Sequence, residues 1–558
     1  MKNYRTNLIA LFLLAGFVCL AVTSMLPGRK SPTCDELAHH IPPGYVLLTK
    51  GDFKMATDSP PLARCIVALP LRIFMQPNMP DDKNAWRTDN RYEFSRNFFY
   101  EYNNQPHKMI LLSRSAVVII GLVCGLVLFF WTKTLYGDKT ALFSLFLYCF
   151  SPNILAHTRL ATTDMTATLF ILLSVCSFWV FVRNPSLVNT LLAGTFLGLA
   201  QLSKYTALLL YPLFIFLLIF ELRGIPEGWK KAIFNVVLIF VISFIVMWAG
   251  YGFDSSPILD DAMRVTQKVE FAHHMAEKIF PFWNEDLSAK LDYFLFKVPF
   301  PLGAHVLGVL GVIRHAQEGH GHFFLGEWSS FGNPMYYIVA FLIKTPIPTI
   351  LFLMTGLFVS LRRKIGRNER FVISTVILFF LTGSMSKLQL GLRYILPIYP
   401  FIFILAARSV ELIKVKYFKV FSIALMVWYA FAALWTWPDH LSYFNEFVGG
   451  SRNGYKFLRD SNIDWGQDLP ALAAHLKKNN IEYIKLDYFG TADPASYGID
   501  HRPITESERR VPSNEVYAVS VHRLESVKWA SSREPTARIG GSIFVYDLRR
   551  EDIPPDRK

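Results

Sequence analysis

Charge is scarce in this chain. Only 18% of its 558 residues are charged, against 52% hydrophobic, which excludes an ordinary soluble enzyme of this length. Cysteine is scarce as well, and six are too few for a disulfide scaffold. Cys19, Cys124, Cys149 and Cys176 lie in apolar runs as small hydrophobes, which leaves Cys34 and Cys65, in one long loop, as disulfide candidates. No fixed-period repeat or low-complexity segment stands out, so solenoid and linker readings have no support. A basic face is missing too. The net charge of +14 comes mostly from Lys and Arg in short loops between apolar runs, so membrane topology explains it better than nucleic acid does.

What the chain has is long apolar sequence, with a mean hydropathy of +0.30. Runs approaching the roughly 20 residues that cross about 30 Å of hydrocarbon fall at 7–26, 110–131, 139–155, 164–182, 187–203, 205–222, 232–252, 335–361, 371–386, 394–413 and 418–437. They predict an all-α polytopic membrane protein of about eleven transmembrane helices. Lys2 and Arg5 precede the first run, which has no clear cleavage site and reads as an uncleaved signal anchor with its N-terminus in the cytoplasm.

On that topology fourteen cations fall in inner loops: Lys133, Lys139, Arg183, Arg223, Lys230, Lys231, Arg362, Arg363, Lys364, Arg367, Arg370, Lys414, Lys416 and Lys419. Only four, Arg159, Lys204, Lys387 and Arg393, fall in short outer loops, as the positive-inside rule requires. Residues 1–437 then form a membrane domain with large outer loops at 27–109 and 253–334, where the helical patterns of 35–48 and 62–74 suit helices lying on the membrane surface. Residues 438–558 read as a small soluble α/β domain outside, with a helix over 466–478 and strands near 483–489, 516–522 and 542–548.

Ionisable groups at the outer ends of spans are the main functional clue, because charge beside hydrocarbon is costly unless it lines a cavity or meets a partner. Asp35 and Glu36 follow the first span, His157, Arg159 and Asp164 lie between the third and fourth, Lys204 between the fifth and sixth, and Arg393 before the tenth. Singly, each also suits an ordinary helix end. Adjacent residues diverge by about 100° on a helix, so Asp35 and Glu36 cannot share a proton. Asp35 is taken as the inward group, with Glu36 in support, although residue types alone do not choose between them. One carboxylate to activate an acceptor, with Arg and Lys to hold a phosphate leaving group, suffices for sugar transfer from a lipid phosphate.

Three segments carry a resemblance: Asp35-Glu36; Ser151-Pro152-Asn153 with His157, Arg159 and Thr162-Thr163-Asp164; and Gly391-Leu392-Arg393-Tyr394-Ile395-Leu396-Pro397. With them the chain resembles the lipid-carrier-dependent glycosyltransferases of the GT-C fold, family 39, which include protein O-mannosyltransferases and lipid A aminoarabinose transferases. The resemblance implies transfer of a sugar from a polyprenyl phosphate to an acceptor protein, glycan or lipid, with Asp35 as general base and Asp164 as a second acidic residue. Segments 324–346 and 460–468 look like a bacterial branch, which implies an inner membrane with the site facing the periplasm. No inserted β-trefoil is evident, which weakens protein mannosylation specifically.

Lys344, followed by the helix-breaking Thr345-Pro346-Ile347-Pro348, is expected to face a cavity and bind phosphate. The segment from Asp460 to Asp468, with three carboxylates including Asp464, and with Asn462, Gln467 and Trp465, has the chemistry to bind sugar hydroxyls through hydrogen bonds and stacking, and Asp464 also suits the cap of the helix that follows. His320 and His322 with Glu327, and His39 and His40 with Asp35, are metal candidates of unspecific spacing. The sequence requires no cofactor. A transporter or flippase is the alternative reading. It predicts related halves with broken helices at the midplane, whereas these charges cluster at outer ends.

Overall fold

The computed structural model describes residues 2–26, 28–53, 55–80, 90–221, 229–259, 270, 273, 274, 277 and 284–549. Arg223, much of 260–283 in the second outer loop, and residues 550–558 of the tail lie outside the described residues.

Every predicted span contains helix. Among the described residues Lys2–Met25, Pro106–Tyr136, Asp164–Arg183, Trp229–Gly250 and Lys416–Trp435 supply five helices long and apolar enough to cross a membrane, or seven with two bent pairs counted as one span each. Leu187–Gln201 and Tyr205–Glu221 are shorter apolar helical stretches. The expected continuous spans at 139–155 and 335–361 are broken instead. Asp138–Cys149 and Pro152–Thr158 meet at 63°, where Ser151 caps a helix restarted by Pro152. Tyr336–Lys344 and Ile347–Arg362 meet at 111° around an extended Thr345 and Pro346. The run expected at 394–413 is α-helical only over Tyr399–Ala407, with 3₁₀ turns on either side.

Packing separates lipid from core. Phe216, Ile219, Phe220, Phe234, Val237, Val427 and Phe431 are exposed, whereas all of Tyr399–Ala407 is buried. Apolar side chains facing outward around a close-packed helical interior make this an integral membrane protein. Leu187–Gln201 packs on Trp229–Gly250 through Gly194 and Gly198, where a Cβ would approach Ile242 and Val246 within 2.6 Å and 2.7 Å. Only glycine permits that approach.

Of the two helices expected in the first outer loop, the first is buried, whereas Pro61–Phe74 leaves Leu69, Ile73 and Phe74 exposed. Glu36–His40 is a short π-helix that runs into Ile41–Lys50, and Ile41 to Leu47 are buried. That helix packs against Pro61–Phe74, which in turn packs on Pro106–Tyr136. Cys34 and Cys65 are both free, so the candidate disulfide is absent.

The tail carries a five-stranded sheet in the order Asp500–Pro503, Tyr483–Asp487, Val516–Ser520, Ile543–Asp547, Ala537–Ile539, with the first two pairings parallel and the rest antiparallel. Its helix is Leu469–Lys478, with Asp468 rather than Asp464 at the N-cap position and no side-chain cap bond.

Candidate active site

The residues between spans and sheet are built into the bundle. Helix Tyr336–Lys344 ends with carbonyls that need donors. Asn445 supplies its backbone N–H to Ile343 O (2.8 Å) and its side-chain amide to Leu342 O (2.6 Å) and Thr345 O (2.7 Å), and the Asn153 amide reaches Lys344 O at 2.8 Å. Lys30, from the first loop, pairs with both Asp439 and Asp468. Ser31 N–H donates to Gln467 O at 2.9 Å and Cys34 N–H to Trp465 O at 3.1 Å. Segment 438–468 therefore draws the first loop, the break at Thr345 and the sheet together at one end of the bundle.

The predicted charges meet at that end. Arg393 donates to Asp35 Oδ2 at 2.5 Å and to Leu390 O at 3.2 Å. Lys204 donates to Asp164 Oδ1 at 2.7 Å, Thr162 Oγ1 donates to Asp164 Oδ2 at 3.0 Å, and His157 Nδ1 lies 3.6 Å from the same oxygen. Tyr394 joins the two pairs, with the Lys204 ammonium 4.6 Å and the Arg393 guanidinium 5.8 Å from its ring centroid. On its other side Arg393 lies 4.4 Å from the Trp465 ring, which also contacts His157. Burial alone would raise the Asp35 pKa, but Arg393, helped by His39 and His40, holds its carboxyl below the usual carboxylate range.

Glu36 has a different surrounding. Its carboxylate accepts from Arg114 Nε and Nη2, both at 2.7 Å, from Ala161 N–H at 2.8 Å, and from the Thr33 N–H at 2.8 Å and hydroxyl at 3.1 Å. Burial opposes its charge, and Arg114 with these amides still keeps it ionised. A carboxylate so fully engaged is a tie between the first loop and the turn before Asp164. Arg114 is the partner that the sequence reading missed. A lone cation in an apolar run was the available signal.

Four expected binding residues point elsewhere. Arg159 is buried and donates to Pro438 O at 2.5 Å, because the turn after Pro152–Thr158 directs it toward the tail. The Lys344 ammonium donates to Leu441 O at 2.8 Å and to Asn462 O, and faces the Phe444 ring, so its donors are occupied by the backbone the broken helix exposes. The Gln467 amide is used within its own turn, accepting from Trp465 N–H at 2.8 Å and donating to Ile463 O at 2.7 Å. Asp464 is fully buried and accepts from Gly466 N–H at 3.0 Å. Trp465, expected to stack on a sugar, has the Arg393 guanidinium over its ring. Among the described residues no three of His, Cys, Asp and Glu gather as metal ligands.

Beside Tyr394 lies an apolar cavity of about 290 Å³, lined by Tyr205, Leu209, Val312, Phe379 and Ile395 among others. Charge is thus gathered at one end of the helical bundle, next to an apolar recess.

Residues 109–248, which include His157, Asp164 and Lys204, match the family model for dolichyl-phosphate-mannose-protein mannosyltransferase. The match covers about a quarter of the chain. Among solved structures, ArnT from Cupriavidus metallidurans bound to undecaprenyl phosphate is 11% identical, covering 98% of this chain and 99% of its own, with a TM-score of 0.47. The oligosaccharyltransferase AglB from Archaeoglobus fulgidus, in complex with an inhibitory peptide and a dolichol-phosphate, is 12% identical, covering 100% of this chain and 75% of its own, with a TM-score of 0.48. No curated protein matches the sequence.

Proposed function

We propose that this chain transfers a sugar from a polyprenyl phosphate to an acceptor protein, glycan or lipid at the outer face of a bacterial inner membrane. The observation that carries the reading is the Asp35–Arg393 pair set beside Asp164–Lys204 across one tyrosine ring. Positively charged loops on the opposite side support the orientation, and the apolar cavity at Tyr394 suits an isoprenoid chain.

In the proposed step an acceptor heteroatom attacks the anomeric carbon and its proton passes to Asp35. The bond from that carbon to the phosphate oxygen breaks, and the phosphate leaves with the electron pair, stabilised by Arg393 and Lys204. A phosphate that competes for Arg393 loosens the guanidinium from Asp35 and frees the carboxylate to act as base, so donor binding and base activation are linked. Asp164 holds Lys204 in place, and the step as written needs no cofactor.

The test uses the full chain in lipid nanodiscs with a panel of radiolabelled polyprenyl phosphate sugars. Wild type transfers or releases one label, and Asp35→Asn, still folded by its size-exclusion profile, slows this about 10²–10⁴-fold. Undiminished transfer by Asp35→Asn would refute the assigned base.

A further inference from the structure

Of the three carboxylates in segment 460–468, Asp468 ties the first loop to the tail and Asp464 is bonded within its own turn. Asp468 pairs with Lys30 and accepts from Ser542 Oγ at 2.5 Å, and Asp464 accepts from Gly466 N–H. Asp460 differs. Its φ is +56°, in the left-handed region that Asp enters more readily than most residues. Several bonds hold it there. Asp460 O accepts from Ile463 N–H at 2.8 Å and Asp464 N–H at 2.9 Å, Asn462 Oδ1 accepts from Leu392 N–H at 3.0 Å, and Asn462 Nδ2 donates to Tyr336 Oη at 3.1 Å.

The decisive contact is at Leu390. Its carbonyl accepts both Ser461 Oγ, at 2.6 Å, and Arg393 Nε, at 3.2 Å. Asp460 is therefore one position away from the anchor that orients Arg393. Asp460 is 9% exposed, and among the described residues its carboxyl makes no ion pair; it receives the neighbouring Ser461 N–H. A buried carboxyl with no counterion, next in sequence to that anchor and within electrostatic reach of Arg393 and Asp35, is a group able to meet a ligand that the guanidinium holds.

We propose that Asp460 is a sugar-binding residue, whose carboxyl hydrogen-bonds a hydroxyl of the sugar carried on the lipid phosphate while Arg393 holds the phosphate. The inference rests on the glycosyltransferase reading and deepens it, since the donor site then includes the extramembrane tail as well as the spans. Burial pushes the Asp460 pKa up to about 6, with Arg393 pulling it back and Asp35 adding to the rise, so near neutral pH the group can accept a hydroxyl proton or donate its own.

The experiment measures binding to the full chain in nanodiscs, with undecaprenyl phosphate and with undecaprenyl phosphate carrying glucose, mannose, galactose or arabinose. One sugar-bearing lipid is expected to bind wild type more tightly than the bare lipid. Asp460→Asn and Asp460→Gly should each lose about tenfold in affinity for that lipid and stay within about twofold for the bare one. Asp460→Gly also accepts the left-handed backbone, so its Tm should equal or exceed that of wild type. Unchanged sugar-lipid binding in both variants, or equal losses for both lipids, overturns the inference. Bare-lipid binding with no gain from any sugar overturns it alone, whereas failure of wild type to bind any of these lipids removes the glycosyltransferase reading as well.

Discussion

Asp35 and Glu36 show how much one residue of register decides. About 100° of rotation sends one carboxylate to Arg393 and the other to Arg114. Asp464 yields a pH prediction at this scale. Burial pushes its carboxyl up to about 8, above its value in an unfolded chain, so between about pH 4 and pH 8 the folded state holds a proton that the unfolded state has released. That stabilisation is fully present below the unfolded pKa and is lost as pH rises through about 8. Wild-type Tm in detergent should therefore fall from pH 5 to pH 8, and Asp464→Asn, which never ionises, should flatten the slope; identical slopes would contradict this assignment. Asp35, Asp164, Lys204 and Arg393 were legible in the sequence because charge at the end of an apolar run has few innocent explanations. Asp464 and Gln467 were misread because a residue type able to bind sugar carries no information about where its side chain points.

The broken helix at Thr345 is the informative element. Pro346 and Pro348 announced the break, since a proline restricts the residue before it and cannot donate to the preceding turn. What satisfies the freed carbonyls could not be foreseen, because Asn445 lies 100 residues further along. Asn445→Ala should strand Leu342 O and Thr345 O in a buried setting and cost about 1–3 kcal/mol, read as a lower Tm of the purified protein. A Tm equal to wild type would mean that other donors replace the asparagine. The break also explains Lys344. Its ammonium serves the backbone of the following segment, which removes it from the phosphate role that its position in an apolar run suggested.

Across the whole molecule, the tail and the first loop are joined through Lys30, whose two acidic partners come from opposite ends of segment 439–468. Asp468 is fully buried, so Lys30→Ala leaves a charge without its counterion and should destabilise by about 3–5 kcal/mol; adding Asp468→Asn should recover part of the lost Tm. No recovery in the double variant would place the loss in packing instead of charge. The sequence by itself determined the helical membrane architecture, its apolar runs, the small α/β tail and the four charges at span ends, because hydrophobic length and charge placement are local properties that burial in lipid enforces. Only the tertiary structure decided which carboxylate meets which cation, that Arg114 and Trp465 belong to the assembly, and that the tail closes over the site. Those outcomes depend on side-chain direction and on contacts between residues hundreds of positions apart, which neither periodicity nor composition records.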